Sequence, residues 1–282
     1  MQTLRGIFIL IVFVVTALAT VPWQSSAIYF KLKRRKTLPN RYSRFLCKLF
    51  GLNITVTGTP VQDRGVLMVA NHTSYLDIIV LGGTARVSFV AKSEVNTWPF
   101  FGLMARLYET VFVERSRRSQ AGVARDQLRE RLQAGDALVL FPEGTSNDGN
   151  RVLPFKSALM GAVESEVGTD AKGHVRHVPV QPVSISYVGF HGMPMGRENR
   201  PLFAWYGDME LIPHLWEAVT AGPASVVIEF HPPMSIDDVG GRKPLAARAE
   251  AIIRQGQARA LAGVVNAGLP AGAPVPLAGV IA

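Results

Sequence analysis

The chain has 282 residues, 48% of them hydrophobic and only 18% charged, with a mean hydropathy of +0.19. That length suits one large domain or two small ones, and the composition excludes a disordered protein. One cysteine, Cys47, excludes an internal disulfide and a cysteine-rich zinc module. The net charge of +9 is concentrated: the first 62 residues hold nine Lys/Arg and no acid, and the remaining 220 carry 21 bases against 21 acids. A neutral body with a basic arm beside an apolar run points to a membrane and away from nucleic acid.

The arm begins with the run GIFILIVFVVTALATV at 6–21, closed by Pro22-Trp23. As a helix it covers roughly 24 Å, short of the ~30 Å of a bilayer core, and extension to Phe30 makes a span possible. KLKRRK follows at 31–36. RYSRFLCKLF at 41–50 then mixes bases with Phe45, Leu46, Leu49 and Phe50. A basic amphipathic stretch after an apolar one reads as cytoplasmic-facing and bound to anionic lipid. A cleaved signal peptide, cut after Ala17-Leu18-Ala19, is the competing reading. It fits less well, because only Arg5 precedes the apolar run and the charge block comes after it. Residues 1–50 are therefore expected to be a retained anchor, on the inner membrane with the active site on its cytoplasmic face.

In the body, short apolar runs predict strands over 54–57, 66–70, 87–91, 110–113, 137–141, 178–187 and 226–230. Helical patterns lie at 75–82, 122–133, 156–166 and 244–263. Strands alternating with helices predict an α/β fold, a mixed, mostly parallel sheet covered by helices, over 51–265. The tail at 266–282, rich in Ala, Pro and Gly, is expected to be disordered.

Functional groups in such sheets gather at the carboxyl ends of strands. The run VLMVA at 66–70 leads directly into NHTSYLD at 71–77. A histidine delivered there, His72, is placed to act as a general base, and Asp77 can hold its Nδ1–H. Positions five apart on an ideal helix differ by about 140°, so His72 must lie outside the helix and fold back over Asp77. A structural alternative makes Ser74 an N-cap and Asp77 its capping-box partner. A second run, ALVLF at 137–141, leads into Pro142-Glu143-Gly144-Thr145-Ser146. There Gly144 lets backbone N–H groups approach a ligand, Thr145 can donate, and Glu143 can accept from a substrate hydroxyl. Lys156 and Arg151 follow, and Arg115, Arg117 and Arg118 follow the run VFV at 111–113. Arginine at a strand end is a good phosphate fork, or simply a solvated cluster.

Four ordered blocks, NHTSYLD, VFVER, FPEGT and VPVQPV, resemble the glycerolipid acyltransferase family, typified by 1-acylglycerol-3-phosphate O-acyltransferase. The resemblance implies His72 as base and Asp77 as its partner. It implies an acceptor head group bound by Arg115, Glu143 and Gly144, to which the residue reading adds Thr145 and Lys156 as substrate-binding candidates, and an acyl or acceptor pocket shaped by Pro179 and its strand. It also implies an N-terminal helical pair dipping into one leaflet. The donor would be acyl-CoA or acyl carrier protein, the acceptor a lysolipid, with no cofactor and no metal. An acyl thioester is already activated, so no enzyme nucleophile is required, and no G-x-S-x-G elbow is present.

Two positions depart from the lysophosphatidate pattern. Glu109 stands where those enzymes commonly have Gly, and Ser146 where they commonly have Arg after FPEGT. Both disfavour a doubly charged phosphate. SNDGNRVLPFKSAL at 146–159 is similar to lyso-ornithine lipid acyltransferases. Lysophosphatidate is the first expectation for the acceptor, and lyso-ornithine lipid the alternative. A thioesterase would use the same pair on water without needing FPEGT. A metal hydrolase would use His174, His177 and Asp170. A non-catalytic membrane adaptor would have no use for a histidine and carboxylate at a strand end. Trp98-Pro99-Phe100-Phe101 is an apolar cluster for lipid, acyl chain or sheet packing, and Cys47 reads as a small apolar residue of the arm.

Overall fold

A computed structural model describes residues 2–114, 118–169 and 175–264. The apolar run forms one helix, α1 (Gln2–Tyr29), which passes through Pro22 instead of ending there. Proline forfeits one helical hydrogen bond, but the turns beyond it are tied down. Gln24 is buried, and its Nε2 donates to the carbonyls of Arg35 and Leu107 at 2.8 Å each. The helix is apolar all round, and packing divides it into two faces. Ile9, Phe13, Ala17, Gln24 and Ala27 are buried, while Ile7, Phe8, Ile11, Val15 and Leu18 are exposed. The second helix, α2 (Arg34–Phe50), buries Leu46, Cys47 and Phe50 in the same core as Ile9 and Phe13. It ends at Gly51, whose φ of +76° is the left-handed cap that glycine adopts without strain.

The chain then runs β1 (Leu52–Thr57), β2 (Val66–Ala70), α3 (Leu76–Thr84), β3 (Ser88–Lys92), α4 (Phe101–Leu107), β4 (Val111–Val113), α5 (Arg118–Gln133) and β5 (Ala137–Leu140). A 3₁₀ segment (Ser157–Glu164), β6 (Glu166–Thr169), β7 (Val175–His177), β8 (Val180–Phe190) and β9 (Met193–Pro194) follow. The last elements are α6 (Leu211–Ala221), β10 (Ala224–Phe230) and α7 (Arg242–Leu261). The central sheet has the order β1-β10-β8-β2-β5-β3-β4, with β9 added to β8. Pairing is parallel except for β10 with β8 and β8 with β9. It is the mixed, mostly parallel sheet covered by helices that the run pattern predicts. Strand alternation feeds two cores: Val66, Met68 and Ala70 face α1, α2 and α3, whereas Leu67 and Val69 face α5 and α7.

The helix expected over 156–166 is 3₁₀ and gives way to β6, consistent with the poor helix formers Gly161 and Val163 within it. The tail at 266–282 lies outside the described residues, as do Arg115, Arg117, Asp170 and His174.

Candidate active site

β2 and β5 lie side by side and parallel, so the loops after them meet at one edge of the sheet. Asn71 prolongs β2 with its side chain: Nδ2 donates to the Ile185 carbonyl and Oδ1 accepts from the Ile185 N–H, both at 2.8 Å. That strap to β8 sets the direction in which the chain leaves the sheet. His72 follows, half-buried, with its ring stacked on Phe141 at 4.0 Å between centroids.

Asp77 is fully buried in the first turn of α3. Its Oδ2 accepts from His72 Nδ1 at 2.9 Å, Thr73 N at 2.7 Å and Ser74 N at 3.0 Å. Its Oδ1 accepts from the Tyr187 hydroxyl at 3.0 Å. The fold-back of His72 over Asp77 is therefore present. The capping box is not: Tyr75, not Ser74, occupies the N-cap and makes no side-chain cap. Asp77 instead satisfies the N–H groups of the turn before the helix. An anionic carboxylate only accepts, so Nδ1 carries the proton and Nε2 presents its lone pair. Nε2 has no hydrogen-bond partner among the described residues.

Glu143 departs from its expected place. It is buried, and its oxygens accept from His72 N at 3.0 Å, Asn147 Nδ2 at 2.7 Å and Leu153 N at 3.2 Å. It braces the His72 loop from beneath. Burial pushes its carboxyl up to about 7; the three N–H donors pull the other way, and the Asp77 charge adds to the rise. Between the ordinary value of 4.5 and about 7, the folded protein holds a proton that the unfolded chain has lost. Stability from this group is thus fully present below about pH 4.5 and lost as pH rises through about 7, a swing of about 3 kcal/mol. Glu143→Gln is expected to flatten the fall in unfolding midpoint between pH 5 and 8. Equal slopes for variant and wild type in a pH series of melts would refute the raised Glu143 carboxyl.

Around the FPEGT turn, Gly144 has a φ of +76°, which a side chain would strain, and a Cβ there would lie 3.0 Å from Lys156 Nζ. Thr145 and Lys156 are exposed at the rim, and the Ser146 hydroxyl donates to the Trp205 carbonyl. Glu109 and Pro179 are elsewhere. Glu109 precedes β4 and pairs with Arg35 at 3.7 Å, and the Pro179 carbonyl accepts from Leu67 N at the start of β2. Both sit at the amino ends of the strands. The two ends of a strand lie on opposite edges of the sheet, so neither residue shapes a pocket at His72.

His177 gives Nδ1 to Asp237 at 2.6 Å, and no metal-like cluster occurs among the described residues. The cluster at 98–101 bridges the site to the anchor, with Trp98 edge-on to Trp205 at 6.0 Å and Phe100 edge-on to Phe13 of α1 at 5.4 Å. Tyr187 and Asn71 are site residues that sequence reasoning missed. A tyrosine 110 positions from its partner leaves no spacing signal.

A histidine held by a buried carboxylate at the carboxyl edge of an α/β sheet, with no G-x-S-x-G elbow in the sequence, is an arrangement suited to acyl or proton transfer. Residues 53–186 match the Acyltransferase family model. A lyso-ornithine lipid O-acyltransferase of Brucella abortus is 43% identical over 254 residues, covering 89% of this chain and 93% of that protein. A 1-acyl-sn-glycerol-3-phosphate acyltransferase of Neisseria gonorrhoeae is 32% identical over 171 residues, 61% of each chain. The crystal structure of the 1-acyl-sn-glycerophosphate acyltransferase of Thermotoga maritima superimposes with a TM-score of 0.63 at 25% identity, covering 92% of this chain and 98% of that one. The chain belongs to the acyltransferase family.

Proposed function

We propose that this acyltransferase moves a fatty acyl group from a thioester, acyl-CoA or acyl carrier protein, to the free hydroxyl of a lysolipid, with lyso-ornithine lipid as the acceptor. The observation that carries the reaction is the His72–Asp77 pair. Asp77 holds Nδ1–H, so Nε2 takes the acceptor's hydroxyl proton as its oxygen attacks the thioester carbonyl. The tetrahedral intermediate collapses, the C–S bond breaks, and the imidazolium returns the proton to the thiolate. Asp77 stabilises the imidazolium throughout.

The Brucella abortus relative and another lyso-ornithine lipid O-acyltransferase, from Rhizobium meliloti, 43% identical over 233 residues, support the acceptor. Ser146 supports it too. It leaves the turn beside His72 without the cation commonly found there, and a doubly charged phosphate needs more compensation than an amino acid's single carboxylate. Lysophosphatidate is the second reading, supported by the Neisseria relative. Purified protein given labelled acyl-CoA with lyso-ornithine lipid, lysophosphatidate or no acceptor separates them. Label is expected in ornithine lipid. Phosphatidate instead would move the assignment to the second reading, and free fatty acid without an acceptor would indicate a thioesterase.

We further propose that the enzyme docks on the cytoplasmic face of the inner membrane through α1. The exposed apolar stripe and the adjacent basic groove of about 370 Å³, lined by Lys31, Lys33, Arg35, Lys36 and Arg86, suit one leaflet and its anionic head groups. Because Ile9 and Phe13 pack into the body's core, α1 lies along the domain. That supports an in-plane anchor. Ile7→Glu, Ile11→Glu and Val15→Glu together are expected to move most of the protein from the membrane pellet to the supernatant, with the melting temperature within a few degrees. Continued sedimentation with membranes would place the docking face elsewhere.

A further inference from the structure

Resting on the lyso-ornithine lipid reading, we propose that Arg200 and Arg197, together with Asp148, form the acceptor's head-group site. The two guanidiniums receive the ornithine carboxylate, and Asp148 receives its amine. The placement comes from a short relay of hydrogen bonds. Asn147 donates from both its backbone N and its Nδ2 to the His72 carbonyl, each at 3.2 Å. Three residues on, Asn150 Oδ1 accepts from Arg200 Nη1 at 2.5 Å, and Asn150 Nδ2 donates to the Arg197 carbonyl at 3.3 Å. Gly149 lies between, where a Cβ would stand 3.1 Å from the Thr73 methyl and 3.8 Å from Arg200 Cβ. The segment carrying both arginines is also stitched to the base's own loop, since Trp205 N donates to the Thr73 carbonyl at 3.0 Å.

The charge at this place is unbalanced in the sense a carboxylate corrects. Arg200 Nη1 and Nη2 have acceptors, but its Nε is buried and donates to nothing among the described residues. Burial holds the Arg200 guanidinium below its ordinary value; the neighbouring Arg197 pushes the same way, and Asp148 opposes them. A partly buried guanidinium with a like charge beside it gains from an anion, and a carboxylate matches its fork. Asp148 Oδ1 is used by Asn150 N at 3.0 Å, and the half-exposed side chain can also meet an amine. Two cations and one acid complement a head group carrying both charges.

The test gives the full-length protein labelled acyl-CoA with lyso-ornithine lipid or with its carboxamide, which lacks the carboxylate but keeps the reacting hydroxyl. Wild type is expected to favour the acid by about 30-fold in kcat/KM, expressed in KM. Arg200→Gln should reduce that preference to about threefold or less, and the exposed Arg197→Gln should reduce it partially. Disturbance of the 147–150 turn would slow both acceptors equally, so the ratio separates binding from damage. Equal use of acid and amide by wild type, or full preference kept in Arg200→Gln, would overturn the site. Transfer to neither acceptor would overturn the acceptor reading itself, and this site with it.

Discussion

Replacing His72 with Ala is expected to lower kcat by about 10²–10⁴-fold, the usual contribution of a positioned general base. Among the described residues no other group near His72 is held ready for the proton. Glu143 is buried beneath the loop with its oxygens engaged, and Asp77 is enclosed by four donors. Folding should survive, because the His72 side chain is 20% exposed and Asp77 keeps its bonds to Thr73 N, Ser74 N and Tyr187. The measurement is steady-state transfer beside a thermal melt. Activity within tenfold of wild type would remove His72 from the role of base.

Asp77→Asn is expected to cost nearly as much for a different reason. The amide can turn its oxygen to the three N–H groups now on Oδ2 and its NH₂ to the Tyr187 oxygen, so geometry and tautomer are retained. What is lost is the negative charge facing the imidazolium. Opposite unit charges 4 Å apart at an effective dielectric of 20 attract by about 4 kcal/mol, or about 10³-fold in rate. The loss should fall on kcat with KM little changed, since full burial keeps Asp77 from direct contact with a bound acceptor. A variant that loses KM, or that keeps kcat within tenfold, would make Asp77 a structural residue of the turn.

Much of this site is legible in one dimension. A strand with two buried faces reads as a continuous apolar run, so VLMVA and ALVLF announce β2 and β5, and each run's end marks the edge where chemistry collects. The spacing from His72 to Asp77 is local, and so is the need for the histidine to fold back. The apolar run of α1 and the basic block after it are matters of composition.

Direction and partnership are not local. Glu143 reads as a substrate ligand in the sequence and is an internal brace in the fold, because a carboxylate's role depends on which N–H groups surround it. Tyr187 reaches Asp77 only because β8 runs on past the end of β2. Arg200 meets the His72 loop through a turn some fifty residues earlier in the chain. Pro22 looks like a helix end until Gln24 and Ala27 are seen to be buried beyond it. Periodicity, spacing and composition suffice for the α/β class, for the pairing of His72 with Asp77 and for the apolar basic arm. Which charges face one another, which face of α1 remains free and which residues lie at the His72 edge depend instead on strand order and on packing between segments far apart in the chain.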